Sequence, residues 1–185
     1  MKKWFLLLVM AFACGSFTAS AANQVVDKLV WYIPNRLMDA LDIFTVNVGA
    51  GPTVRCELMA TEYVHGGGGI GVAGKLYKAY NRQYGYGIEN GWNWNLITVG
   101  AENSERAKTS LWVVPYQQSF AGVPDPNQKI YDFYTGARDF WRLGGSLGLG
   151  IEGDLYLHPA EIADFVTGVF MIDLKGDDYS SDDIN

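Results

Sequence analysis

The sequence predicts a mainly β protein of α+β type: a single curved antiparallel sheet or small barrel-like body, with an N-terminal helical segment and a C-terminal amphipathic helix. Three observations carry this. Glycine is abundant at 22 residues and aromatics reach 14%, a pairing that favours short strands and tight turns over a helical bundle. Long stretches alternate apolar and small or polar residues at period two, and helical periodicity is confined to the two ends.

The first 22 residues read as a secretory signal. Lys2 and Lys3 precede an apolar run from Trp4 to Ala13, and Ser20-Ala21-Ala22 offers a small-residue cleavage site. Ten apolar residues reach only ~15 Å as a helix, half the ~30 Å of a hydrocarbon core. Cleavage is expected near Ala22. Acylation at Cys14 is disfavoured, because Phe12 and Ala11 fit a lipobox poorly. Residues 23–175 are then expected to form one β-rich domain, and 176–185 an acidic, mobile tail.

Val25 to Ile33 repeats at helical spacing, and Pro34 is expected to end that helix and open another over Asn35 to Leu41. From Phe44 the period becomes two, with a break at Gly51-Pro52 and a second strand over Thr53 to Ala60. Glu89-Asn90-Gly91 between alternating segments predicts a hairpin. Thr109 to Val114 reads as a short strand, and Gln117 to Gln128 as a loop. Leu143 to Leu157 is the longest strand, about 50 Å if straight, so a bulge or bend is expected within it. Pro159 opens a final helix, whose Ile162, Phe165, Val166, Val169 and Phe170 form one apolar stripe expected to pack on the sheet. About seven strands are expected in all.

Two segments are near copies, Gly69-Ile70-Gly71-Val72-Ala73-Gly74-Lys75-Leu76-Tyr77 and Gly148-Leu149-Gly150-Ile151-Glu152-Gly153-Asp154-Leu155-Tyr156. Both contain G-x-G-x-x-G, and the first also matches G-x-x-x-x-G-K. A phosphate loop must open a helix, so that backbone N–H groups and the helix dipole meet the anion. No helical stripe follows either copy, and Leu76 replaces the Mg²⁺-binding Ser or Thr. Both are therefore read as strands. Gly74 and Gly153 are expected to admit a close backbone or a bend, and the other glycines to lie under rings of Tyr84, Tyr86, Trp92 and Trp94.

Those four aromatics are candidate ligand contacts. Glu152, Asp154 and His158 share a strand face with Tyr156 and could form an acid–base site, though a solvated strand end is the simpler reading. No metal or cofactor site is assigned. Asp177 to Asp183 lacks the glycine and terminal glutamate of a Ca²⁺ loop, and Ser146 misses G-x-S-x-G by one residue.

Net charge is −6, and about −8 once Lys2 and Lys3 are removed, which disfavours nucleic acid as a partner. After cleavage Cys56 is the sole cysteine, so no internal disulfide forms. The reading that results is an exported protein of the bacterial cell envelope, periplasmic or outer-membrane associated. Its expected role is structural or ligand-binding and non-enzymatic, with lipid or another envelope protein as partner and no transmembrane helix. The alternatives are an integral outer-membrane β-barrel and a small envelope hydrolase or metal-dependent enzyme.

Overall fold

A computed structural model describes residues 24–180 of the chain. The expected signal peptide, Cys14, Asp182 and Asp183 lie outside the described residues. In order come α1 (Gln24–Asp42), β1 (Phe44–Thr61), β2 (Val64–Ala79), β3 (Gln83–Ile97), β4 (Val99–Ala107), β5 (Tyr116–Gly122), a single 3₁₀ turn (Lys129–Tyr131), β6 (Leu143–Leu157) and α2 (Pro159–Gly168). Two compact units result. Residues 42–161 hold the sheet, and the segments before 42 and after 161 hold the helical unit.

The six strands form one antiparallel, open sheet in the order β5-β4-β3-β2-β1-β6. The fold class is therefore mainly β with a helix at each end, as the sequence predicts. The near-copies both pair with β1: Ile70 and Leu149 flank Val54 from opposite sides. The irregularity expected in the last strand is present. Ala50 pairs with Ile151 and Val54 with Leu149, so Gly51, Pro52 and Thr53 face Gly150 alone. Two extra residues leave the face alternation unshifted.

Several element boundaries differ from expectation. The helix does not break at Pro34 but continues through it to Asp42. The missing proline N–H removes one intrahelical bond, yet the stripe Leu29, Ile33, Leu37, Leu41 runs unbroken past it. Asn90-Gly91 is no hairpin. Gly91 (φ +140°) lies in mid-strand, paired with Gly71 and Ser104, and a Cβ there would approach Ser104 Cα to 2.6 Å. Likewise β1 passes through Gly51-Pro52 because β2 pairs continuously alongside it.

Thr109–Val114 is not a strand; Ser110 and Trp112 donate to the Tyr86 and Tyr84 carbonyls from a turn. The expected loop begins as β5. β4 was not anticipated, since Glu102, Ser104 and Arg106 alternate with Asn103 and Glu105 and give no apolar period. Instead of seven strands there are six among the described residues.

The apolar core of the sheet unit is small. Ile130, Tyr131, Ala137 and Phe140 cluster against Tyr63, Val114 and Tyr116. Residues 129–142 thereby lie over the inner face, held by Glu62 N–H on the Phe140 carbonyl and by Asn81 and Gln83 on the carbonyls of Gly136 and Ala137.

Candidate functional site

The sheet turns its polar residues inward and its apolar residues outward. Eleven aliphatic side chains point out and are exposed: Val46, Val48, Val54 and Leu58 of β1, Ile70, Val72 and Leu76 of β2, and Leu147, Leu149, Ile151 and Leu155 of β6. Leu149 is 82% exposed. Tyr86, Trp92 and Trp94 continue this face on β3, and the next two strands present Asn103, Glu105, Gln117 and Ser119. The outer surface thus passes from aliphatic through aromatic to polar across the sheet.

The inner face is a dense charge network. Lys75, 3% exposed, places Nζ 2.5 Å from Glu152 Oε1, 3.1 Å from Asp154 Oδ2 and 3.6 Å from Glu89 Oε1. Arg55 meets Glu57 at 2.9 Å and Glu89 and Glu152 at 3.8 Å each. From the overlying segment, Arg138 pairs with Glu102 at 2.8 Å and Arg142 with Glu62 at 2.9 Å. Arginines also stack on rings: Arg106 on Tyr77, Arg138 on Tyr116, and Arg142 on Tyr156.

Register explains why long cations fit there. Lys75 is flanked by Gly49 and Gly87, and Arg55 by Gly69 and Gly148. A Cβ on Gly49 would come within 2.7 Å of Lys75 Cγ, and one on Gly69 within 2.9 Å of Arg55 Cγ. Within the near-copies Gly69 and Gly148 are therefore the neighbours of a charged stem, that of Arg55, and not of aromatic rings. Tyr84, Tyr86, Trp92 and Trp94 lie on the opposite face. Gly74 and Gly153 are on the outer face, each with a single backbone oxygen at 3.9–4.0 Å from a built Cβ, so no close approach occupies them.

The interior cavity is about 40 Å³, room for about three waters at ~10–15 Å³ each. Five cations (Arg55, Lys75, Arg106, Arg138, Arg142) and five carboxylates (Glu57, Glu62, Glu89, Glu102, Asp154) line it. Formal charges are thus nearly balanced, and His65, whose burial is outweighed by Glu57 and Glu62 so that its pKa is raised, also lines the cavity. His65 lies buried between Glu57 and Glu62, 3.7 Å from each.

His158 forms a separate cluster. Its Nδ1 is 2.9 Å from Asp139 Oδ2 and its Nε2 is 2.8 Å from Thr45 Oγ1. Thr45 Oγ1 also accepts the Tyr80 N–H. A neutral ring satisfies all of these: Nδ1–H donates to Asp139, and Thr45 donates to Nε2. Burial pushes His158 below the ordinary imidazole value, outweighing Asp139. A hydroxyl–imidazole–carboxylate chain has the connectivity of a nucleophile, base and orienting group. Here Thr45, His158 and Asp139 are all at most 4% exposed, and neither Thr45 nor His158 lines the cavity.

The seven candidate residues thus occupy three places. Glu152 and Asp154 are brought together on Lys75, His158 is bound to Asp139 and Thr45, and the four aromatics are outside. Glu152 and Asp154 are buried pair members, not a solvated strand end. Sequence reasoning missed the cations Arg55, Lys75, Arg106, Arg138 and Arg142. Strand alternation was the available signal for Arg55, Lys75 and Arg106, and none marked Arg138 and Arg142, which lie in the overlying segment between β5 and β6.

In the helical unit, Asp39, Asp164 and Asp177 each bring a carboxylate oxygen within 4.8 Å of the others. Asp39 is ion-paired to Arg36 at 2.7 Å, and Asp164 Oδ1 accepts the Leu174 and Lys175 N–H groups. The acidic segment after 175 is tied down where described: Asp178 pairs with Arg36, and Tyr179 exchanges two hydrogen bonds with Asn35. Of the apolar stripe expected on α2, Ile162 and Phe165 are half-buried, whereas Val166, and Val169 and Phe170 past the helix end, are exposed; Glu161 and Asp164 are buried.

No protein-family model, curated protein or solved structure matches this chain.

Proposed function

We propose that this is a structural protein of the bacterial cell envelope, embedded in a membrane by its sheet. The outer face of β6, β1, β2 and β3 contacts lipid, and the interior is closed by charge pairs. The observation that carries the reading is the inverted polarity of the sheet. Eleven aliphatic side chains left largely in water would forgo on the order of 1 kcal/mol each, about the whole stability of a typical domain. Hydrocarbon removes that cost, and the turned-in charges are paired with one another across the interior.

Strand length supports the same reading. β1, β2, β3 and β6 have 18, 16, 15 and 15 residues, more than the ~9–11 that cross a bilayer when tilted. Trp92, Trp94 and Tyr86 stand between the aliphatic and polar strands, where amphipathic rings favour the lipid–water boundary. A balanced, nearly filled interior fits neither a solute channel nor a substrate pocket. Membranes carrying the protein, washed with carbonate and then urea, should retain it until detergent is added. Folded protein recovered in detergent-free buffer would overturn the embedding.

A further inference from the structure

We infer that the helical unit is a second lipid contact, with α1 and the chain beyond α2 lying along the membrane interface; this rests on the embedding of the sheet. α1 presents Leu29, Ile33, Leu37 and Leu41 four residues apart on one face, 57, 70, 50 and 45% exposed. Its buried positions include Asn35 and Asp39. Past α2, Val169, Phe170, Met171 and Ile172 are exposed in succession. The helical unit thus leaves a row of aliphatic side chains exposed while burying Asn35 and Asp39 beside Trp31 and Met38.

Several of its described polar groups pair with one another. Arg36 binds Asp39 and Asp178, Asn35 binds Tyr179, and Asp164 caps Leu174 and Lys175. An interfacial helix usually carries lysines and arginines on a solvated polar face. Here that face is covered by the chain's own acidic segment, so their scarcity is no obstacle.

Chain connectivity selects lipid as the occupant. Ile43 alone separates α1 from β1, and His158 alone separates β6 from α2. Phe44 and Leu157 are paired across the same end of those strands. Both helices are therefore joined by one-residue links to the same end of the β1–β6 strand pair. No described helix is long and apolar enough to cross a membrane, which leaves an in-plane placement.

Nitroxide labels test this in the full chain, reconstituted in phosphatidylcholine–phosphatidylglycerol vesicles. Cysteines replace Leu29, Ile33, Leu37, Leu41 or Phe170 singly in a Cys14→Ser, Cys56→Ser background. Labels at Ile70, Leu149 and Ser119 report the sheet, and circular dichroism confirms its retention. Helix labels should favour collisions with oxygen over a nickel chelate more than the Ser119 label does, and at constant depth. A crossing helix would instead change depth by ~6 Å per step of four residues. Chelate access at the helix with oxygen access at Ile70 and Leu149 overturns this inference alone, as does a depth gradient. Chelate access at Ile70 and Leu149 overturns the sheet reading beneath it. Protection of the helix labels from both reagents marks contact with another protein and also overturns the lipid assignment.

Discussion

Lys75 is within reach of three carboxylates on β3 and β6, and its stem passes between Gly49 and Gly87. Desolvating one such ion costs several kcal/mol, and only its partners offset that. Lys75→Met should therefore lower stability by about 3–5 kcal/mol, since carboxylates are left buried without their cation. Adding Glu152→Gln should recover part of the loss, a coupling that a double-mutant cycle of urea unfolding in micelles measures. Purely additive losses would remove Lys75 from the centre of the network.

Several groups set the acid side of stability, among them His158 and the buried carboxyls Glu57, Glu62 and Glu89, all held below their ordinary values. His158 is held below its ordinary 6.5 by burial, so the unfolded chain binds that proton more readily. Its contribution is complete above 6.5 and is lost as pH falls from there through the folded value. Burial alone would raise Glu62, but Arg142 and His65 outweigh it and hold the carboxyl below its ordinary 4.5. That contribution is lost as pH falls below 4.5. His65 is shifted the opposite way, Glu57 and Glu62 outweighing its burial, and adds equally to both proteins. The unfolding midpoint of His158→Gln should therefore gain on that of wild type as pH falls from 7 to 5, while the decline below 4.5 persists in both. An unchanged profile would mean the imidazole titrates freely.

Among the elements, the two glycine-rich near-copies flank β1 and make room for side chains that the sequence did not connect to them. Period two was legible in both and correctly made them strands. It divides a strand into two faces but does not say which is turned in. In water the aliphatic face is the expected core, and on that premise the aromatics were placed over the glycines and Glu152 and Asp154 at a solvated end. The glycines themselves held the missing signal. Gly69 and Gly148 stand beside Arg55 on the charged face, as Gly49 and Gly87 of the neighbouring strands stand beside Lys75, and a crowded inner surface needs small residues there. Helix periodicity at both ends was also legible, although Pro34 stops nothing. β4 and β5 were hidden because neither face of either strand is strongly apolar.

Gly71 tests this packing at the level of a strand. Its φ is +141° and a Cβ would approach Thr53 Cα to 2.5 Å, so alanine must push β1 and β2 apart. Gly71→Ala should cost at least about 1 kcal/mol. Gly74→Ala, on the open outer face, should cost less than about 0.5 kcal/mol in urea titrations. Equal effects would contradict the placement of the two faces.

For the whole molecule, an open sheet in a membrane has a consequence at its edges. β5 and β6 are the outer strands, and unpaired N–H and C=O groups in hydrocarbon cost several kcal/mol each. β5 presents polar residues and can stand in water. β6 presents the most exposed leucine of the sheet, so its free edge must be covered when embedded. Its amides should resist hydrogen exchange in vesicles along the whole of Leu143–Leu157, and rapid exchange there would count against embedding.

The most direct measurement places a charge on each half of the outer surface and compares folding stability in lipid vesicles. Leu149→Arg should lose about 2–4 kcal/mol, as arginine does near a bilayer midplane. Ser119→Arg, on polar β5, should stay within about 0.5 kcal/mol of wild type. A Leu149→Arg protein as stable as wild type would contradict a lipid-facing sheet, because an arginine at 82% exposure is harmless only where that exposure is to water.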